Sequence, residues 1–199
     1  ITLSEPSLLN LTLASTNETC LGNYDGEITA SPSGGTGSYT YNWTPQNNNS
    51  SNLVNLSAGS YSLTITDDNG CTTSQNANIT SHPLPIVDAG SDQIECEGIP
   101  ITLFGTGAIS YSWNNGITNG TPFNQTVGTT TYIVTGTDAN NCQNTDQVNV
   151  TIHALPSVSA GADTAECEGT PITLSGTGAI SYSWDNGITD GTPFNQTVG

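Results

Sequence analysis

Hydrophobic and polar residues alternate along most of this chain, and no window carries the three-to-four-residue spacing of an amphipathic helix. The alternation is clearest where single polar residues separate Val148, Val150 and Ile152. A period of two is typical of β-strands that bury one face. Between positions 83 and 154 the pattern predicts five strands, at 100–106, 109–113, 123–127, 131–137 and 142–153.

The same alternation predicts which side chains of this segment face the core. They are Ile101, Leu103, Tyr111, Trp113, Tyr132, Val134, Val148, Val150 and Ile152. Glycine-rich or Asn-Gly turns, such as Asn115-Gly116, separate the strands. Short strands at such regular spacing predict an all-β fold of immunoglobulin-like sandwiches.

An internal repeat sets the organisation of the chain. The segment 84–128 recurs at 155–199, with an offset of 71 and identity at 36 of 45 positions. The segment 7–82 follows the same plan in a diverged form, in which Tyr41 and Trp43 correspond to Tyr111 and Trp113. We therefore predict tandem sandwich domains arranged as beads on a string.

The predicted domain boundaries follow from this repeat. Residues 1–6 are interpreted as the end of a preceding repeat, and three further segments are called repeats 1, 2 and 3 below: 7–82, 83–154 and 155–199. Repeat 3 stops where repeat 2 continues into its last two predicted strands. We expect these closing strands to come from a continuation of the array or from a neighbouring molecule.

The charge balance excludes two classes of partner. The chain has no Lys or Arg and 17 Asp or Glu residues, which gives a formal net charge of -17. Without fixed cations it cannot neutralise phosphates, so we expect no nucleic-acid binding and no attraction to anionic lipids. No apolar run reaches the length of a membrane helix, so we expect no membrane insertion.

Five cysteines indicate an oxidising compartment. The simplest pairing lies within each repeat, Cys20 with Cys71 and Cys96 with Cys142, and the partner of Cys167 then lies beyond the chain end. One alternative stays open. If the strands alternate strictly, the two cysteines of a repeat fall at opposite ends of the sandwich, and a bond between neighbours, Cys20 with Cys142, becomes possible.

A group of carboxylates suggests a metal site. Asp88, Asp92 and Asp138 are expected near the junction that follows Pro83, and calcium binds carboxylate and carbonyl oxygens. The alternative is ordinary solvated turns, which the replacement of Asp88 by Ser159 in repeat 3 favours. We expect no other cofactor.

The aromatic residues allow two interpretations. Tyr39, Tyr41 and Trp43 alternate and therefore share one face, which is either a core face or a platform for stacking sugars. His82 and His153 are the only histidines, and each lies at the end of a repeat, where we expect it to pack a hinge. Because no nucleophile stands beside a base in any known motif, we expect no enzyme.

Two stretches resemble known surface repeats. The sequence ETCLGNYDGEITASPSGGTGSYTYNWTP with LSAGSYSLTITDDNGC, at 18–45 and 56–71, resembles the SprB-type repeat of gliding-motility adhesins. The sequence DAGSDQIECEGIPITL with TYIVTGTDANNC, in repeat 2, resembles PKD-like or Ig-like modules of large Bacteroidota surface proteins. The resemblance implies secretion, by the type IX system, to the cell surface.

The resemblance also bears on modification and function. The sequence Asp163-Thr164-Ala165 resembles the O-glycosylation signal of Bacteroidota, which implies a glycan on Thr164. We expect a structural or adhesive segment of a long extracellular protein or filament. Its expected partners are further repeats or neighbouring copies of the same protein, and surface polysaccharide or other cells. The alternative function is a carbohydrate-binding array that accompanies a secreted polysaccharide-degrading enzyme.

Overall fold

The computed structural model of the chain describes residues 5–196, and these residues form an almost entirely β structure. The strands of repeat 1 are β1 Asn10–Thr16, β2 Glu18–Cys20, β3 Gly26–Ser33, β4 Thr40–Thr44, β5 Asn52–Leu56, β6 Gly59–Thr66, β7 Thr72–Ile79 and β8 Ser81–His82. Those of repeat 2 are β9 Gln93–Cys96, β10 Ser110–Trp113, β11 Gly128–Thr137 and β12 Gln143–His153.

Repeat 1 is an antiparallel sandwich. One sheet has the order β1-β3-β5 and the other β4-β6-β7, while β2 pairs in parallel with β8. The inward residues of both sheets form one cluster, at whose centre Ile28, Trp43, Leu63 and Ile65 are fully buried. This arrangement confirms the predicted all-β immunoglobulin-like fold.

Repeat 2 contains a sheet of order β10-β11-β12-β9. Three of its five predicted strands are confirmed, since β10, β11 and β12 begin within three residues of the predicted positions. Eight of the nine predicted core residues are buried, and Tyr111 is half-buried.

Two predicted strands of repeat 2 are wrong, and one strand was missed. Residues 100–106 and 123–127 form no strand, although Thr106 makes an isolated bridge with Asp88. At Gly105 the backbone lies so close to the ring of Tyr111 that a Cβ would come within 2.7 Å of it. The missed strand, β9, pairs in parallel with the end of β12, a non-local contact that the sequence pattern does not reveal.

Packing divides the chain into two compact units. Of the described residues, the first comprises 5–92, 102–123 and 131–149, and the second comprises 93–101, 124–130 and 150–196. Within 155–196 the described residues form isolated bridges, such as Ile172 with Phe194, and none of their side chains is buried. Among residues 5–196 no helix has the length and apolar character needed to cross a bilayer.

Candidate functional site

A disulfide joins repeat 1 to repeat 2. Cys20 is bonded to Cys142 with a Cα–Cα distance of 5.6 Å, across a sequence separation of 122. Both residues belong to the first compact unit, and both are buried. The preferred pairings of Cys20 with Cys71 and of Cys96 with Cys142 are therefore wrong, and the alternative pairing between neighbours is the one observed.

Strand direction explains why the two cysteines of a repeat do not meet. Cys142 directly precedes β12, whereas Cys96 lies opposite His153 at the other end of that strand. An extended strand of 11 residues is about 35 Å long, and a disulfide needs Cα atoms within about 7 Å. Repeat 1 has the same arrangement, because β7 separates Cys71 from β8, with which the strand of Cys20 pairs.

Cys20 lies in a tight turn at the end where the chain leaves repeat 1. It is the register partner of His82, and the N–H of Leu21 donates to the carbonyl of His82 at 2.9 Å. The N–H of Asn23 donates to the carbonyl of Cys20, and Gly22 has φ +94°. Glycine is required at this third position of a type II turn, so the Cys-x-Gly sequence itself fixes the local geometry.

A buried carboxylate organises the same turn. Glu18 is only 1% exposed, and its side chain accepts hydrogen bonds from the N–H groups of Gly22, Tyr24 and Ala58. The bond from Tyr24, with those from Ala58 and Gly22, lowers the pKa of Glu18 below its ordinary value of 4.5, although burial and Asp25 oppose this. In a chain without cations, backbone N–H groups thus stabilise the buried negative charge.

Cys142 lies in a hairpin at the end where the chain enters repeat 2. The side chain of Asp138 accepts hydrogen bonds from the N–H groups of Asn140 and Cys142, each at 2.8 Å. Nearby, the side-chain amide of Asn144 donates to the carbonyl of Pro85, in the segment that enters the repeat. The exit turn of one repeat and the entrance hairpin of the next therefore carry the two bonded cysteines.

The predicted calcium ligands are not brought together. Asp88 accepts a hydrogen bond from the N–H of Gly90, Asp92 accepts one from the N–H of Asn149, and Asp138 closes the Cys142 hairpin. Across residues 5–196 no group of three or more His, Cys, Asp or Glu side chains could hold a metal ion. The three predicted ligands therefore form no such group, because Asp88 and Asp138 accept N–H groups of their own turns and Asp92 accepts the N–H of Asn149 in β12.

The aromatic face is a core face. Trp43 is fully buried and Trp113 is 6% exposed, and the indole N–H groups donate to the carbonyl of Ser50 and to the side chain of Asn119. Tyr41 and Tyr111 are half-buried beside them. The two indole rings are therefore not available for stacking on a sugar, so the interpretation as a core face is confirmed.

The remaining predicted positions are exposed. His82 and His153 lie at the surface, each as a strand partner of a cysteine. Thr164 is exposed in repeat 3, where a glycan would meet no steric obstacle from burial. Cys71, Cys96 and Cys167 are exposed free thiols.

Asp67, which the sequence analysis did not single out, organises the Cys71 hairpin. Its side chain accepts hydrogen bonds from the N–H groups of Thr36, Asn69 and Cys71. Burial acts to raise the pKa of Asp67, but these hydrogen bonds outweigh it, and the pKa lies below its ordinary value of 3.8. The signal was present in the sequence, since an Asp stands four residues before the cysteine in both 67–71 and 138–142.

Comparison with known families supports one of the two resemblances. Residues 12–48 match the SprB repeat family. This match covers most of β1 and all of β2, β3 and β4, including the turn of Cys20. It supports a repeat of a cell-surface or extracellular protein. No curated protein matches the chain.

Several solved structures have similar backbones. They include the N-terminal eight Ig domains of Down Syndrome Cell Adhesion Molecule, with TM-score 0.39, 11% identity and coverage of 74% of this chain and 25% of that one. Fibronectin(III)-like modules of Clostridium thermocellum CbhA have TM-score 0.34 and 9% identity, and the coverage is 74% and 95%. The chain spans a quarter of the length of the first of these structures.

Proposed function

We propose that this chain is a structural, adhesive and non-catalytic segment of a secreted bacterial surface protein. The observation that carries the proposal is the disulfide between Cys20 and Cys142, which joins two successive repeats. A surface adhesin must transmit tension between its anchor and its point of attachment. Because the two cysteines are covalently bonded across a sequence separation of 122, the segment between them cannot be extended when the chain is pulled.

The surface chemistry supports the same role. The chain is acidic and lacks Lys and Arg, so trypsin-like proteases find no cleavage site in it. Its strands expose mainly Ser, Thr and Asn, as β7 illustrates with the sequence TTSQNANI. A polar surface that is rich in Ser, Thr and Asn and carries a net negative charge suits a protein that stays soluble and extended outside the cell.

The resemblance to Bacteroidota surface repeats extends the proposal to the route of export and to the partners. We infer secretion through the type IX system and adhesion to surface polysaccharide or to other cells. Thr164 is proposed to carry an O-linked glycan, on the strength of its sequence context and its exposure. The alternative of a carbohydrate-binding array loses its support, because the aromatic face that would stack on sugars is a core face.

Imaging of the native protein tests the proposal. Cells that express the full-length protein would be labelled with an antibody against 7–154 and examined by immunogold electron microscopy. We expect label on the outer surface or on extended material that projects from it, and we expect a deletion strain to lose both label and adhesion. Label confined to the cytoplasm, or unchanged adhesion of the deletion strain, would contradict the proposal.

A further inference from the structure

The turn around Cys96 in repeat 2 is built like the turn that carries the bonded Cys20. Cys96 is the register partner of His153, as Cys20 is of His82. The N–H of Glu97 donates to the carbonyl of His153 at 2.9 Å, the same distance as in the bond from Leu21 to His82.

The turn geometry is also the same in all three repeats. The carbonyl of each cysteine accepts from the N–H three residues later, and a glycine with positive φ stands between. These three residues are called turn cysteines below: Cys20, Cys96 and Cys167.

The hairpin around Cys71 in repeat 1 is built like the hairpin that carries the bonded Cys142. The N–H of Cys71 donates to the side chain of Asp67 at 2.8 Å, as that of Cys142 does to Asp138. The N–H of each Asp in turn donates to the carbonyl of its cysteine at 3.0 Å. We call Cys71 and Cys142 the hairpin cysteines.

The hairpin of Cys71 also lies at the end where the chain enters its repeat. Cys71 lines a cavity of about 260 Å³ together with Pro6, Ser7, Leu8 and Leu9, the residues that lead into β1. In repeat 2 the corresponding hairpin is tied to the entering segment through Asn144 and Pro85. Repeats 1 and 2 therefore each carry a hairpin cysteine at the end where the chain enters the repeat and a turn cysteine at the end where the chain leaves it.

We propose that the disulfide is a repeat-to-repeat device, in which each turn cysteine bonds to the hairpin cysteine of the next repeat. Cys96 is then the half-site for a hairpin cysteine placed 71 residues after Cys142, and Cys71 is the half-site for a turn cysteine of the repeat that precedes repeat 1. Both partners are cysteines of the same polypeptide: the partner of Cys96 would lie in the continuation of repeat 3, and that of Cys71 in a repeat of this type before repeat 1. Both proposed bonds would have the same arrangement as the bond between Cys20 and Cys142.

Each bond forms by thiol–disulfide exchange with a disulfide-containing oxidant. One cysteine thiolate attacks the oxidant and releases a thiol, and the second cysteine thiolate then displaces the other half of the oxidant from the mixed disulfide. The two cysteines together lose two protons and two electrons, and the oxidant is reduced to two thiols. Cys71 and Cys96 are exposed and therefore accessible to such an oxidant.

The spacing makes the covalent loops overlap. The loop closed by Cys20 and Cys142 ends 46 positions after Cys96, where the next loop would begin. Consecutive loops therefore share the residues from 96 to 142, and no linker between repeats lies outside a loop. Bonds within each repeat would instead leave the junctions at 83 and 155 outside every loop, so the observed pattern is the one that protects the hinges. This inference holds whether or not the array adheres to a surface.

An extended chain tests the pairing of Cys96. Residues 129–154 would be repeated after Gly199, with Ser at the position equivalent to Ala139 as a mass label, and the protein would be refolded with oxidised and reduced glutathione. After thiols are blocked, cleavage before Asp places Cys96 in peptide 92–137 and Cys167 in peptide 163–184. We expect peptide 92–137 to be bonded to the mass-labelled hairpin peptide. In the Cys96→Ser variant the cysteine of the labelled hairpin peptide should instead be free and should therefore carry the blocking group.

Two results would overturn the proposal: a bond from 163–184 to the labelled peptide, or a blocked Cys96 in a protein whose appended hairpin is protected from hydrogen exchange. If the extension does not fold, the native full-length protein provides the second measurement. The same digestion should then recover the peptides of Cys71 and Cys96 bonded to peptides from outside positions 1–199. Recovery of both cysteines as free thiols, or bonded to each other, would contradict the rule.

Discussion

Cys20 and Cys142 hold the exit turn of repeat 1 against the entrance hairpin of repeat 2 through a covalent bond. Each of these segments also has stabilising hydrogen bonds that are independent of the disulfide. Glu18 accepts three backbone N–H groups in the turn, and Asp138 accepts two in the hairpin. Carboxylates that hold backbone N–H groups thus position the thiols in a chain that offers no cationic side chain.

Loss of the disulfide should destabilise repeats 1 and 2 together. The bond closes a loop with a sequence separation of 122, for which the loop-entropy model gives about 5 kcal/mol. We expect Cys20→Ser and Cys142→Ser to lower the free energy of unfolding by similar amounts in urea titrations. The control is Cys71→Ser, which removes an exposed free thiol and should change little. Equal effects of Cys20→Ser and Cys71→Ser would contradict this prediction.

The buried carboxylate of Glu18 should be needed for the turn. In Glu18→Gln an NH2 group replaces one of the two acceptor oxygens. This group is a donor that faces backbone N–H donors, so at least one hydrogen bond is lost. We expect a lower melting temperature by calorimetry and faster hydrogen exchange at Gly22, Tyr24 and Ala58. Glu5→Gln, at an exposed position, is the matched control. Identical melting temperatures for the two variants would show that the turn does not depend on this charge.

Stability should fall in acid because several native carboxyl groups have lowered pKa values. The pKa of Glu18 is lowered by the N–H of Tyr24 and the pKa of Asp68 by the side chain of Ser38. A group whose pKa is lower in the folded state stabilises the fold above its unfolded pKa, and this contribution is lost as the pH falls through the folded pKa. We therefore expect the melting temperature to decrease as the pH drops below the ordinary values of 4.5 for Glu and 3.8 for Asp.

The acid effect can be separated from the general effect of net charge. Protonation also relieves the repulsion of a chain with a net charge of -17, which acts in the opposite direction. Glu18→Gln should therefore show a shallower decrease in melting temperature below the ordinary pKa of Glu, 4.5, than the unchanged protein. Parallel pH profiles for the two proteins would contradict the role given to Glu18.

Metal removal should leave the fold unchanged. Asp88, Asp92 and Asp138 each accept backbone N–H groups at separate places in the fold, and the described part of the chain offers no group of three ligands. We expect the same melting temperature with excess EDTA and with millimolar calcium. A decrease in EDTA that calcium reverses, and that Asp92→Asn abolishes, would restore the calcium hypothesis.

The features that the sequence predicted correctly are local. Alternation places Val148, Val150 and Ile152 on one face of β12 whatever the rest of the chain does, and all three are buried. Asn-Gly and Asp-rich turns likewise depend on a few consecutive residues. Asp88 and Asp92 are close in sequence but have different partners, since Asp88 accepts the N–H of Gly90 in its own turn and Asp92 accepts that of Asn149 in β12, which composition does not reveal.

The features that the sequence could not predict are non-local. The parallel pairing of β9 with β12 sets Cys96 beside His153, more than 50 residues away in sequence, and no turn signal marks it. Disulfide pairing then follows from which end of the sandwich each cysteine occupies. That end depends on the direction of every strand between them, so one misassigned strand, such as that predicted at 123–127, changes the expected pairing.

Peptide mapping of the non-reduced protein tests the central claim most directly. Cleavage before Asp, after thiols are blocked in acid and the protein is denatured in urea, places the five cysteines in five peptides: 1–24, 68–87, 92–137, 138–145 and 163–184. The structure predicts that 1–24 is bonded to 138–145, and that the other three peptides carry blocked thiols. Recovery of 1–24 bonded to 68–87, together with 92–137 bonded to 138–145, would contradict the repeat-to-repeat disulfide.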